Sequence, residues 1–259
     1  MTLDETLDAV AAELAKARRV LVITGAGLSA DSGLPTYRGL GGLYNGETAE
    51  GVPIEAALSG QMLRQRPALC WKYMRQIGDA CRGAGPNPGH HALARLQDRF
   101  EHLCVLTQNV DGFHSQAGSR DVIEIHGNLS RLVCTHCPWQ GAAKGVRDRV
   151  PHCPSCGQVV RPTVVLFGEM LPDAAVLRLH QALDAGFDAV ISVGTTSVFP
   201  YIAGPVHAAF AAGHLTVEVN PGETQVSPIV RWRLRCGAAQ ALTGLAERLG
   251  VGAEVHRSD

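Results

Sequence analysis

The stretch from Val20 to Gly39, "VLVITGAGLSADSGLPTYRG", passes abruptly from a run of apolar, mostly β-branched residues into glycines. That is how a buried strand delivers a phosphate-binding loop. Gly25, Gly27 and Ala30 meet the G-x-G-x-x-G/A spacing, in which the first glycines turn the chain tightly and let the backbone approach a pyrophosphate at a helix N-terminus. A dinucleotide enzyme that transfers hydride also needs an acidic residue about 20 positions on, at the end of a second strand, to hold the ribose hydroxyls. Glu47 and Glu50 stand near that distance, but "GLGGLYNGETAEG" (39–51) has no strand pattern. The loop reads as dinucleotide-binding, and the unit after it is not the usual one.

Outward from this loop, short β-rich runs alternate with helical or glycine-rich stretches: 20–24, 102–107, 122–127, 163–168, 188–194 and 215–220. Strands apolar almost throughout suit a parallel sheet covered by helices on both faces, with ligands outside the carboxyl ends of the strands. The expected fold is therefore α/β, a Rossmann-like parallel sheet domain with a smaller zinc-binding and helical module. Residues 1–39, 89–127 and 162–259 form the first, and residues 40–88 and 128–161, which interrupt the rhythm, form the second.

The chain has 259 residues and a net charge of -1, enough length for a large core with a small companion and no basic excess to attract nucleic acid or an anionic membrane. Leu3, Leu7, Val10 and Leu14 recur at helical spacing, so the N-terminal stretch is an amphipathic helix rather than a signal peptide or membrane span. A cytoplasmic protein is expected. Oligomeric state is open, and a monomer is compatible with the sequence. Of eight cysteines, Cys70, Cys81, Cys104 and Cys236 lie scattered in apolar surroundings and read as small core residues.

The other four are clustered. Cys134-x2-Cys137, fifteen residues, then Cys153-x2-Cys156 is a spacing that closes a tetrahedral four-thiolate zinc site from two turns. With the coordination sphere filled, one structural zinc is expected, holding a segment too small for its own core. A pair of redox CxxC motifs is disfavoured because neither opens a helix after a strand. The neighbouring His136 and His152 are not needed as ligands.

After "HLCVLT" comes "QNVDGFHSQAG", where Gln108, Asn109, Val110 and Asp111 place an amide pair and a carboxylate at a strand exit; after "VIEI" comes His126-Gly127. A histidine at a strand end can act as general base near neutral pH. The order of motifs continues through the two CxxC pairs to "RPTVVLFGE", "GTTSVFP" and "EVN". In this the chain resembles the sirtuins, the NAD-dependent protein lysine deacylases, from Val20 to about Gly244. Thr163, Phe113 and the "GTTSVFP" run depart from the common family pattern without removing a catalytic group.

The resemblance implies that NAD is consumed, giving nicotinamide, free lysine and O-acyl-ADP-ribose. It places Gly25, Ala26, Gly27, Ser29 and Ala30 around the pyrophosphate and Tyr37 and Arg38 on the loop over the nicotinamide ribose. Gln108, Asn109, Val110 and Asp111 fall on the ribose and nicotinamide side, with Asn109 and Asp111 catalytic and His126 as base. Gly194, Thr195, Thr196, Asn220, Gly237 and Ala238 line the ribose and adenine. An amide oxygen is a poor nucleophile, so loss of nicotinamide must make the ribose C1′ electrophilic; the acyl oxygen captures it, and His126 then deprotonates a ribose hydroxyl that attacks the captured acyl carbon. The partners implied are acyl-lysine proteins, added as a strand beside Phe167, Gly168 and Glu169, with Val165 in the substrate site. An ADP-ribosyltransferase would share the cleavage step and differ in the acceptor.

Sirtuins that remove succinyl or malonyl groups carry a Tyr-x-x-Arg pair on the helix within 68–93; here that register holds Met74 and Ile77, while Tyr73 and Arg75 lie out of register. An apolar floor disfavours a buried carboxylate and favours neutral acyl groups such as acetyl, crotonyl and longer aliphatic chains.

Overall fold

The computed structural model describes residues 1–36, 48–143 and 150–252. Its strands are β1 (Arg19–Thr24), β2 (His102–Thr107), β3 (Val122–Glu124), β4 (Arg131–Cys134), β5 (Gln140–Ala142), β6 (Val160–Pro162), β7 (Ala189–Val193), β8 (Leu215–Val219) and β9 (Trp232–Leu234). Its helices are α1 (Leu3–Leu14), α2 (Ala26–Ala30), α3 (Ile54–Ala57), α4 (Gly60–Gln65), α5 (Pro67–Arg82), α6 (Pro88–Leu96), α7 (Phe113–Gln116), α8 (Asp173–Asp184), α9 (Pro200–Ala211) and α10 (Ala238–Arg248).

Six strands pair in the order β3-β2-β1-β7-β8-β9, all parallel, with Val22 opposite Val105 on one side and Ile191 on the other. The order reverses between β1 and β7, which opens a crevice beyond their carboxyl ends. Alternation along β1 sends Val20 and Val22 into one core and Leu21 and Ile23 into a second. Residues of α1, α6 and α10 fill the first, and residues of α8 and α9 fill the second. The amphipathic N-terminal helix forms as the sequence predicts: Thr2 and Glu5 close a capping box, and Leu7, Val10 and Leu14 are buried.

A third core is shared by α3–α5 and the antiparallel sheet β5-β4-β6. Trp71 of α5 joins them, its Nε1 donating to the Val160 carbonyl at 2.9 Å. Cys70 is in this core, Cys104 in the second and Cys236 in the first, whereas Cys81 is half-buried and lines a cavity.

Two expectations about strands are corrected. Residues 163–168 form no strand of the parallel sheet: Thr163 N–H continues the β4–β6 pairing onto Arg131, after which Val165 donates to His126 and Phe167 to Leu58. They form an extended bridge between the two layers, with Phe167 paired to Ser59. The second is an omission: β9 adds an edge strand at "RWRLR", with Arg231, Arg233 and Arg235 around Trp232 and Leu234, a run absent from the expected strands.

Candidate active site

The loops after β1 and β7 meet backbone on backbone. Gly27 N–H donates to the Gly194 carbonyl at 2.8 Å, and a Cβ on Gly27 would lie 2.6 Å from Gly194 Cα. Gly194 has φ +59, and a Cβ there would lie 2.6 Å from the Leu28 nitrogen. The glycines are thus demanded by the approach of two loops as well as by any ligand.

From this junction a polar chain runs into the molecule. Asn109 Nδ2 donates to the Gly25 carbonyl and the Ser29 hydroxyl, both at 3.0 Å, and Ser29 donates to Asp111 at 2.7 Å. Asp111 also accepts the Phe113 N–H at 2.9 Å. Burial raises the Asp111 pKa above the usual aspartate value, with the Phe113 and Ser29 hydrogen bonds acting in the opposite direction. Gln108 spans the junction, its amide donating to Thr195 Oγ1 at 2.8 Å.

His126 leaves β3 two residues past its end and is fixed from three sides. Its carbonyl accepts from Val165 at 2.9 Å, and Gly127, at φ +78, packs so tightly that a Cβ would lie 2.0 Å from the Thr163 carbonyl oxygen. Its Nδ1 lies 3.1 Å from the Gln108 carbonyl oxygen, which can only accept, so Nδ1 carries the proton and Nε2 holds the lone pair. Burial lowers the His126 pKa below the ordinary histidine value, with the Gln108 hydrogen bond opposing it, so the ring is a neutral base at pH 7.

Most of these groups, but not Ser29 and Asp111, are gathered at one cleft of about 1170 Å³. It holds Gly25, Ala26, Gly27 and Ala30 from the first loop, Gln108, Asn109, Val110 and His126 from the β2 and β3 exits, and Gly194, Thr195 and Thr196 from the β7 exit. Asn220, Gly237 and Ala238 line it as well, as do Met74, Ile77, Val165, Phe167, Gly168 and Glu169. Ser29 and Asp111 line an adjoining cavity of about 80 Å³ with Ala26, Asn109, Val110 and Ile77. Tyr37, Arg38 and Glu47 lie outside the described residues. Glu50 is engaged elsewhere, accepting from Lys72 at 2.5 Å and from Tyr73.

Sequence reasoning missed Asp31, whose carboxylate accepts the Ala239 N–H at 2.7 Å and so holds the Gly237-Ala238 turn against the cleft. It also missed Tyr201, whose hydroxyl lies 2.8 Å from His126 Nε2. Phe167 N–H and carbonyl are already bonded to Leu58 and Gly60, so a strand added beside this segment must find its amide partners elsewhere than Phe167 N–H. Glu169 is clasped by Arg161 at 2.5 and 2.8 Å.

The cysteine sulfurs of Cys134, Cys137, Cys153 and Cys156 lie within 4.8 Å of one another, with the pairs Cys134–Cys156 and Cys137–Cys153 at 3.5 Å. Tetrahedral zinc with bonds of about 2.3 Å separates its sulfurs by about 3.8 Å, so the four thiols fit that ion. His152 is turned away, its Nδ1 2.9 Å from the Gly157 carbonyl oxygen.

Residues 25–200 match the model of the Sir2 family. The chain is 58% identical over 225 residues to "NAD-dependent protein deacylase 2" of Pseudomonas aeruginosa, covering 84% of this chain and 87% of that one. A Sir2 homologue in complex with NAD superimposes with a TM-score of 0.85 at 33% identity, over 94% of this chain and 93% of that one. A Sir2 structure with a p53 peptide and NAD+ superimposes with a TM-score of 0.81 at 27% identity, over 97% of this chain and all 100% of the other.

Proposed function

Because the chain belongs to the Sir2 family and is an NAD-dependent protein deacylase, we propose that its acyl site prefers neutral, aliphatic acyl-lysines over succinyl- or malonyl-lysine. The observation that carries this reading is the lining of the acyl end of the cleft. Met74 and Ile77 stand on α5 facing the same space as His126, and among the described residues that line the cleft there is no lysine or arginine. The one acidic side chain at that end, Glu169, is paired with Arg161, so the guanidinium is already satisfied and a second carboxylate meets an anion instead of a free cation. Methionine accommodates chains of different length, and each buried methylene contributes about 0.8 kcal/mol where space allows.

In the same reading the residues divide the work along the cleft. The Gly25–Ala30 loop takes the pyrophosphate, and Thr195, Thr196, Asn220 and the Gly237-Ala238 turn take the adenosine half. Asn109 and Asp111, tied to the loop through Ser29, take the nicotinamide side. NAD supplies a ribose carbon that becomes electrophilic when nicotinamide departs. His126, neutral and presenting Nε2, removes a proton from a ribose hydroxyl so that its oxygen attacks the acyl carbon. The acyl-lysine protein enters past Phe167, Gly168 and Glu169. The division into a dinucleotide domain and a small module follows the same line: the cleft runs between the carboxyl edge of the parallel sheet and the third core. Bound zinc fixes the small sheet and leaves no coordination position for chemistry.

Mass spectrometry of products from NAD and acetyl, crotonyl, decanoyl, myristoyl and succinyl peptides tests this. The expected result is O-acyl-ADP-ribose with specificity constants for the neutral peptides well above that for succinyl. Efficient desuccinylation overturns the acyl preference, and ADP-ribosylated protein in place of O-acyl-ADP-ribose overturns the deacylase assignment.

A further inference from the structure

Nε2 of His126 is the atom on which the base chemistry depends, and in the ligand-free cleft it already has a partner. Tyr201 Oη lies 2.8 Å from it. With Nδ1–H committed to the Gln108 carbonyl, Nε2 has only a lone pair to offer, so the Tyr201 hydroxyl is the donor. Tyr201 sits in the first turn of α9, immediately after Pro200, at the end of the loop that β7 sends across the cleft. Its ring stacks on Phe199 at 5.4 Å and 10°, and both rings meet the imidazole edge-on, at 83° and 88°. The imidazole plane is therefore set by two aromatic walls and its two nitrogens by one hydrogen bond each. Burial pushes the Tyr201 phenol up to about 12, so it keeps its proton at any working pH.

We propose that Tyr201 is a positioning residue for the base: its hydroxyl holds the Nε2 lone pair of His126 until the ribose hydroxyl displaces it, and it accepts the hydrogen bond of protonated Nε2 once the ribose oxygen has moved to the acyl carbon. The inference rests on His126 acting as base in the deacylase reading. The proton passes from the ribose oxygen to Nε2, the freed electron pair of that oxygen forms the bond to the captured acyl carbon, the carbon–nitrogen π pair there moves onto the lysine nitrogen, and nothing is oxidised or reduced. Tyr201 keeps its own proton throughout and changes from donor to acceptor. A phenol is suited to this because its oxygen both donates and accepts; a phenylalanine supplies the wall and neither function.

The test is Tyr201→Phe in the zinc-loaded full chain, read at two stages. Exchange of labelled nicotinamide into NAD, driven by an acetyl-lysine peptide, reports the stage before His126 acts, and formation of free lysine peptide reports the stage after. The hydrogen bond to a charged imidazole is worth enough that deacetylation should fall about tenfold, while nicotinamide exchange stays at or above the wild-type rate. A parallel fall in both marks a structural role and overturns the proposal, as does unchanged or faster deacetylation. A third readout is independent of turnover: the ¹⁵N shift of His126 Nε2 in the free enzyme should move on Tyr201→Phe, and no movement refutes the hydrogen bond itself. If wild-type protein releases no nicotinamide with any acyl peptide, the deacylase reading fails, while the nitrogen shift still decides whether Tyr201 holds the imidazole.

Discussion

Leu21, Ile23, Val105 and Val217 lie wholly buried in the parallel sheet, whereas the strands of the antiparallel sheet are three or four residues long and leave Arg131, Gln140 and Ala142 exposed. The first region has helices on both faces and two cores of its own; the second borrows Trp71, Leu69 and Met74 from α5 and adds four clustered thiols. Apolar burial at about 25 cal/mol per Å² suffices for the first. The strands of the second supply only Leu132 and Val160 to the buried residues of the third core, so the turns that carry the four thiols have little apolar support of their own, and a bound ion would hold them. Each half of the cleft therefore stands on different ground: the loops after β1 and β7 rest on backbone packing, and Met74 and Ile77 stand beside a module whose four thiols fit a zinc ion.

Removing that metal should break the comparison most severely, since structural zinc is worth on the order of 10 kcal/mol to a small site. Cys134→Ser, or chelation of the wild type, is expected to unfold the small sheet and abolish deacylation while the parallel sheet keeps its helical circular dichroism. Metal analysis should find about one zinc per chain, because one four-thiolate set closes one site. Full activity without metal would mean the small sheet stands by itself.

His126→Ala separates the two sides without unfolding either. Loss of the base should lower deacylation by about 10²–10⁴-fold, while ADP-ribose binding measured calorimetrically stays close to wild type. Because burial holds the His126 pKa below 6.5, and the base works only unprotonated, the acidic limb of kcat/KM in the wild type should have its midpoint below that value. A midpoint above 6.5, or lost ADP-ribose binding with an intact fold, would place the histidine in a different role.

A pH-dependent effect on stability comes from under the site. His90 and His114 stack edge-on at 5.0 Å, with His90 Nε2 and His114 Nδ1 buried and unpartnered, and His114 Nε2 2.9 Å from the Thr24 hydroxyl. Burial lowers their pKa values from 6.5 to about 4 and about 3. The unfolded chain binds these protons below pH 6.5 and the fold does not, so stability is fully present above that pH and is lost as pH falls toward about 4, by about 1.4 kcal/mol per pH unit for each histidine. Denaturant melts between pH 7 and 5 measure this. A slope that survives chelation assigns it to the sheet region rather than to the thiolates.

Much of the site was legible because its parts are local. Gly25 and Gly27, the Gln108–Asp111 run, His126-Gly127 and the two CxxC pairs each sit within a few residues of a strand end or turn. There backbone geometry dictates side-chain direction whatever surrounds them. Residues 163–168 misled for the opposite reason. A β-branched run states a preference for extended backbone, and only the positions of Leu58 and His126 around it decided that the amides beyond Thr163 would bridge two layers instead of joining the parallel sheet.

Local devices could be read directly from the chain: a glycine loop on a buried strand, an amide and carboxylate at one strand exit, a histidine at another, and a cluster of four cysteines. Tertiary structure alone decided the meetings at a distance. Tyr201 reaches His126 across 75 residues and Asp31 caps α10 across 208, because the strand order sets β1 beside both β2 and β7 and so gathers loops far apart in the chain at one crevice. No periodicity or spacing records such a contact, since it depends on which strands become neighbours, and that is settled by the burial of the whole sheet.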